Sequence, residues 1–265
     1  MGRPRKRHIQ QSLDLPPRDV DGRGGKRKGA GRPPKGARSS ERHKKRPKVD
    51  PRHPLHVTLR AVADVGSLRK RDVFHAIGYA TVAVAKHDRF RIVHLSIQTN
   101  HVHLLVEAAS KAALKQGMQS FQISAAKLIN RALRLRAGVR RKGQVFADRY
   151  NARALTSPRA VRNALCYVLN NWRHHDENQR IVAHAWKVDP YSSAVAFPDW
   201  KEREASPILY RPPTNYLALV TWRPRTWLLR EGWKRHGLIS IYEVPGPVSR
   251  PSSTRTATPG RRPTS

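Results

Sequence analysis

A single cysteine, Cys166, stands in the 265 residues. An internal disulfide framework and a cysteine-built zinc site are therefore excluded. Any bound metal has to rest on His, Asn, Gln, Asp or Glu, and 13 histidines leave that open. Long apolar runs are missing too. Nothing approaches the roughly 18 residues needed to span a bilayer, and no apolar stretch follows the basic N-terminus as in a secretory signal. The expectation is a soluble, cytoplasmic protein with no membrane partner. Acids are the scarcest class relative to their counterpart: 18 Asp and Glu face 53 Lys and Arg, giving a formal net charge of +35. A chain so charged repels itself unless a polyanion neutralises it, and nucleic acid is the commonest such partner.

The apolar residues are unevenly spread. Residues 1–50 hold 17 Lys and Arg against five acids, with Gly and Pro filling much of the rest. So little apolar surface cannot offset the entropy of ordering, and a disordered basic tail is expected. Within it, Gly2-Arg3-Pro4-Arg5-Lys6-Arg7 and Gly31-Arg32-Pro33-Pro34-Lys35 read either as AT-hook-like minor-groove segments, with Arg3 and Arg32 as DNA contacts, or as Gly-Arg-Pro triplets in a plain basic tail. Residues 51–176 read as a folded catalytic-sized domain, 177–250 as a Trp-rich, partly helical extension, and 251–265 as a second disordered tail.

Inside the domain, Leu55–Arg60 is a β-type run. Ser67 is positioned to cap a helix whose apolar stripe is Val73, Ile77, Ala80 and Val84. Strands are expected over Phe90–Ile97 and His101–Glu107, joined by a Thr99-Asn100 turn. A second helical stripe runs Leu114, Met118, Phe121, Ala125, Leu128, Ala132, with Lys127, Arg131 and Arg134 on its exposed face. A β-type run spans Val145 to Leu155. A last helix opens at Thr156-Ser157-Pro158, with Pro at the first helical position, and ends near His174. The order strand, helix, strand, strand, helix, strand is the split-βαβ, ferredoxin-like pattern of the α+β class. It implies one antiparallel sheet with helices on one face, plus a further C-terminal helix. In the extension, Thr226 to Gly237 reads as a short amphipathic helix.

The local pattern with most chemistry in it is His101-Val102-His103. On a strand, positions i and i+2 share a face, so the two imidazoles make either a metal platform or a pair of exposed strand histidines. On the last helix Asn163, Tyr167 and Asn171 recur every four residues and share a face. Val161, Leu165, Val168 and Trp172 form a separate apolar stripe. That polar face is either part of a site or an ordinary surface.

Taken together these segments resemble a family. Asn100-His101-Val102-His103-Leu104-Leu105-Val106-Glu107 resembles the HUH motif of single-tyrosine transposases. Tyr167-Val168-Leu169-Asn170-Asn171 is similar to that family's nucleophile helix, where Asn or Gln follows the tyrosine by four. His56-Val57-Thr58-Leu59-Arg60, Val145-Phe146-Ala147-Asp148-Arg149-Tyr150 and Thr156-Ser157-Pro158-Arg159 fit the IS200-like superfamily and its REP-associated tyrosine transposase branch. The resemblance covers residues 54 to about 175. It departs from the family where Trp172, rather than Pro, follows Asn171.

The resemblance implies that His101, His103 and Asn171 hold one Mg²⁺ or Mn²⁺ ion and that Tyr167 attacks a phosphate. It implies a 5′-phosphotyrosine link, a free 3′-OH, and rejoining without ATP. The substrate would be single-stranded or hairpin DNA, with Lys127, Arg131, Arg134 and Arg149 as further DNA contacts. It also implies a bacterial, nucleoid-associated protein acting as monomer or homodimer. Tyr150 is a rival nucleophile, but no ligand-type residue stands four positions after it. A non-catalytic DNA-binding regulator on the same fold is the alternative. An RNA-binding protein would need aromatics on the sheet, and the strand His101–Glu107 has none.

Overall fold

The computed structural model describes residues 48–138, 140–141, 143–174, 186–212, 214 and 216–246. Both Arg-Pro segments, with Arg3 and Arg32, and the tail at 251–265 lie outside the described residues.

Four strands form one sheet: β1 (Leu55–Arg60), β2 (Phe90–Ile97), β3 (His101–Ala108) and β4 (Asn151–Ala154). Their order is β2-β3-β1-β4 and every pairing is antiparallel. Helix α1 (Arg71–Val84) follows β1, and α2 (Lys111–Ala137) follows β3. This is the expected ferredoxin-like arrangement.

Strict alternation on β1 and β3 builds two cores. Leu55, Val57 and Leu59 of β1 and Val102, Leu104 and Val106 of β3 meet the Val73–Val84 stripe of α1 and Leu114, Met118, Phe121, Ala125 and Ile129 of α2. The other face of β3 contributes Leu105, which packs with Val161, Leu165, Val168 and Leu169 of α3 (Pro158–His174). Thus α1 and α2 cover one face, and α3 lies on the opposite one. Ser157 caps α3 by accepting from the Ala160 amide at 3.2 Å.

β2 contains a phase slip visible in its own sequence. Phe90 and Ile92 alternate correctly, but the next apolar pair on that face is Leu95 and Ile97. The register shifts between Ile92 and His94, and the extra residue, Val93, is buried in the α3 core. This is a β-bulge.

Three local expectations need correction. Ser67 does not cap α1, which starts four residues later with Lys70 as its N-cap; instead Ser67 Oγ accepts from the Arg69 amide in a tight turn. On α2 the buried seam passes through Ile129 and Leu133, and Leu128 and Ala132 sit at its flank. Steps of four residues slightly outrun the helical repeat, so the seam drifts over so long a helix. The strand expected over 145–155 shrinks to Asn151–Ala154, preceded by an isolated bridge between Ala61 and Phe146. Tyr150 therefore lies outside any strand and is buried in the core under α1 and α2.

The extension is packed against the domain. Ser192 bridges Ser96, and the Trp222 amide donates to Ile92 O, so the extension covers the β2 edge that would otherwise offer open pairing groups. Trp200 and Trp233 are almost fully buried against α3. The helix expected from Thr226 to Gly237 is a single turn, α4 (Trp227–Arg230), capped by Thr226 and followed by a 3-10 turn over Gly232–His236. Glu107, at the far end of β3, accepts from the Arg225 and Thr226 amides at 2.7–3.0 Å. The strand that carries the two histidines is thereby tied to the extension.

Candidate active site

His101 and His103 share one face of β3, and their ring centroids are 4.6 Å apart. Val102 points the other way into the first core. Asn100 Oδ1 lies 2.7 Å from His101 Nδ1. A carboxamide oxygen only accepts, so Nδ1 carries the proton and Nε2 carries the lone pair a metal needs. His103 is held by its Nδ1, 3.2 Å from His56 Nε2 and 3.2 Å from Thr58 Oγ1. Both partners come from β1, where Thr58 is the register mate of His103. Nε2 of His103 is the ring nitrogen that could face a metal. Burial, aided by the nearby charge of Arg153, pushes the His56 imidazole down to about 4, so at neutral pH His56 is an uncharged orienting partner.

The α3 helix brings its tyrosine to this face. The Tyr167 ring stands edge-on to His103 at 5.0 Å between centroids and to His56 at 5.8 Å. Burial pushes its phenol above the ordinary tyrosine range. Uncoupled from a cation, the group stays protonated at neutral pH. One helical turn on, Asn171 is fully buried, and neither Oδ1 nor Nδ2 has a hydrogen-bond partner among the described residues. An unsatisfied buried amide costs about 1–3 kcal/mol, and a bound ion or water is one way such a group is satisfied. Its oxygen suits a hard divalent cation. No cluster of three His, Cys, Asp or Glu side chains fit for a metal occurs among the described residues, so an ion held by the two histidines would take a third ligand of another class, and the Asn171 carboxamide is of a suitable one. The residues present fit the metal.

The three positions of the polar face of α3 differ in depth: Asn163 is exposed, Tyr167 half-buried and Asn171 enclosed. A cleft of about 270 Å³ opens beside Tyr167, lined by His56, Arg153, Asn163, Tyr167 and Glu243 among others. Arg162 pairs with Glu243 at 2.7 Å at this cleft. Cys166 also lines it, but burial pushes the thiol up to about 12, which removes it as a nucleophile. Tyr150, the rival tyrosine, is on the opposite side of the sheet.

The basic residues separate into groups. Lys127, Arg131 and Arg134 line one groove with Asn130, Arg140 and Arg141. Arg149 lines a different groove, with Gln119, Gln122, Phe146 and Tyr150. Both are on the α2 side of the sheet. His56, Thr58 and Arg153 were missed from sequence. Their signal is the alternation of β1 and β4: His56 and Thr58 are the polar positions of Leu-His-Val-Thr-Leu, and His56 pairs in register with Arg153.

Residues 55–171 match the family described as transposase IS200 like. That segment is an IS200-like transposase domain. The match begins with β1 and ends on Asn171, so it spans His56, Thr58, His101, His103, Arg153, Tyr167 and Asn171. No curated protein matches the chain. Among solved structures, it is similar to a REP-associated tyrosine transposase bound to a REP hairpin, at 14% identity over 71% of this chain and 99% of that one, with a TM-score of 0.45. A bacterial tRNA(His) guanylyltransferase-like protein in complex with GTP is 15% identical over 53% of this chain and 70% of that one, with a TM-score of 0.37. A candidate transposase from Deinococcus radiodurans is 15% identical over 53% of this chain and 96% of that one, with a TM-score of 0.33. A domain of this family is one that acts on DNA. No helix among the described residues is long and apolar enough to cross a membrane.

Proposed function

We propose that this transposase cuts and rejoins single-stranded or hairpin DNA through a covalent tyrosyl link. Tyr167 is the nucleophile, and His101, His103 and Asn171 hold one Mg²⁺ or Mn²⁺ ion. The reading places the chain with the REP-associated branch of its family, on the motifs quoted above. The observation that carries it is the meeting of β3 and α3, which sets the Tyr167 ring 5.0 Å from His103 with an unsatisfied carboxamide one turn away.

A divalent ion held by these residues supplies Lewis acidity to a non-bridging phosphate oxygen. The chain's own residues do the rest. His56 and Thr58 orient His103, and Asn100 fixes the tautomer of His101. The phenol of Tyr167 gives up its proton as its oxygen bonds to phosphorus. The bond from phosphorus to the 3′ oxygen breaks, and that oxygen leaves as a hydroxyl. The product is a 5′-phosphotyrosine, and attack by another 3′-OH reverses the step. Arg153, exposed at the cleft, is placed to receive the strand's phosphates.

The test is incubation of labelled hairpin DNA from the flanks of the gene with Mg²⁺ or Mn²⁺, scored for a covalent adduct on denaturing gels. Tyr167→Phe should abolish the adduct while leaving binding near wild type. His103→Ala or EDTA should remove cleavage. An adduct that survives Tyr167→Phe would refute the nucleophile, and cleavage undiminished in EDTA would refute the metal. DNA binding with no adduct from the unaltered protein would support the regulator instead.

A further inference from the structure

A second cavity lies away from the active-site cleft. It holds about 160 Å³ and is lined by Arg71, Phe74 and His75 of α1 and by Trp186, Pro190, Tyr191, Tyr210 and Tyr216 of the extension. Its walls are mostly rings. Phe74 meets Tyr191 edge-on at 5.1 Å and Tyr216 nearly parallel at 6.0 Å. Tyr210 stands edge-on to Tyr216 at 5.7 Å, and Trp186 is tilted to Tyr191 at 6.2 Å. The rings are fixed from behind. Tyr216 donates its hydroxyl proton to Pro190 O at 2.9 Å, and the Arg69 guanidinium covers Tyr191 at 4.3 Å. The volume is below the roughly 300–1,000 Å³ of pockets for drug-sized ligands, and suits one planar ring system.

Charge decides which kind. An aromatic box for an ammonium group needs a cation-friendly mouth. Here the carboxylates nearby are already committed. Asp189 is bidentate to Arg69, and Asp72 is bidentate to Arg136. The rim carries Arg71, which has no ion pair among the described residues, and His75. A ring attached to an anion fits, and a cation does not. The cavity also sits near the catalytic strand. The Ile97 amide donates to Tyr191 O, and Ile97 pairs with Val102, next to His101. Two strand spacings, roughly 10 Å of backbone, separate Tyr191 from β3.

We infer that this aromatic cavity receives one unpaired nucleobase of the DNA substrate, with Arg71 on its phosphate, on the α1 side of the sheet and around the β2 edge from His101. The inference rests on the protein's action on DNA, but it does not need Tyr167 to be the nucleophile. Rings that stack any base favour unpaired over paired DNA, which gives the extension a part in choosing the substrate.

The test uses the full chain and hairpins with single-stranded flanks, each carrying 2-aminopurine at one position. One flank position should be strongly quenched on binding, since stacking on aromatic rings quenches the probe. Tyr210→Ala and Trp186→Ala should abolish that quench and weaken binding about 5- to 100-fold, the effect of losing one base stack. Tyr210→Phe should keep both, and thermal melting should show all variants folded. Quench at no position, or quench and affinity unchanged in both alanine variants, would overturn the inference. So would a cavity that binds a labelled proline-rich peptide while the DNA probe stays bright. The adduct assay is scored separately: a quench that persists in Tyr167→Phe supports the cavity, whatever that variant does to cleavage.

Discussion

On the proposed function, Asn171 is the residue where stability and role would conflict most. Its carboxamide is enclosed and lacks hydrogen-bond partners among the described residues, so without metal it costs the fold. Asn171→Leu removes that polar group at similar volume. The metal-free variant should melt at the same temperature as the parent or higher, with a gain on the order of 1 kcal/mol, yet form no adduct. Calorimetry in EDTA beside the adduct assay checks both. A variant that is destabilised and still active would show that the amide is structural. His56 is the complementary case. In sequence it entered only as part of a β-type run and a family-like segment, with no role in the site. Its importance depends on contacts across strand pairs, with His103 on β3 and Arg153 on β4, and no local spacing in the chain encodes them.

At the scale of elements, the four strands, the long helices and the cap of α3 were legible because period-two and period-3.6 patterns are strong there. The slip between Ile92 and Leu95, a bulge in the structure, was read only as part of a plain strand. What was not legible had a tertiary cause. The end of α2 drifts off its ideal stripe, and residues 145–150 hold their place through Val62 and Arg60 backbone bonds instead of a continuous ladder. The motif residues His101, His103, Tyr167 and Asn171 were readable through family resemblance, whereas the layout of the extension was not. One close approach had no sequence signature at all. At Gly117 an added Cβ would lie 2.2 Å from the Phe90 ring, which is itself buried. Gly117→Ala should therefore destabilise the protein by about 1–3 kcal/mol, despite the better helix propensity of Ala. Urea denaturation measures it, and a neutral or stabilising result would mean that Phe90 moves freely.

The whole molecule is governed by its +35 charge and by a few buried neutral groups. Lys127, Arg131 and Arg134 line one groove. Replacing all three with Ala should lower the slope of log affinity against log salt by about 2–3, as expected for three lost phosphate contacts. Binding titrations across salt concentrations check this, and an unchanged slope would remove the groove from the DNA path. Acid should weaken the fold. Burial pushes His94 down to about 4, against about 6.5 in an unfolded chain. Between those values the unfolded chain takes up a proton that the folded one refuses, so stability falls as pH drops from about 6.5 and levels off below about 4. In melts at stepped pH, His94→Gln should flatten that decline.

The sheet also divides the molecule. Tyr167 and its histidines lie on the α3 side, while the groove of Lys127, Arg131 and Arg134 lies beyond α2 on the other. A strand that touches both has to travel around the edge, past two layers of about 10 Å each, which at about 3.4 Å per nucleotide is on the order of six nucleotides. If DNA follows the proposed path over both faces, the protein would measure its length. Oligonucleotides below that reach should engage one side alone, and affinity should climb in a step, not a slope, once the length suffices to span the fold.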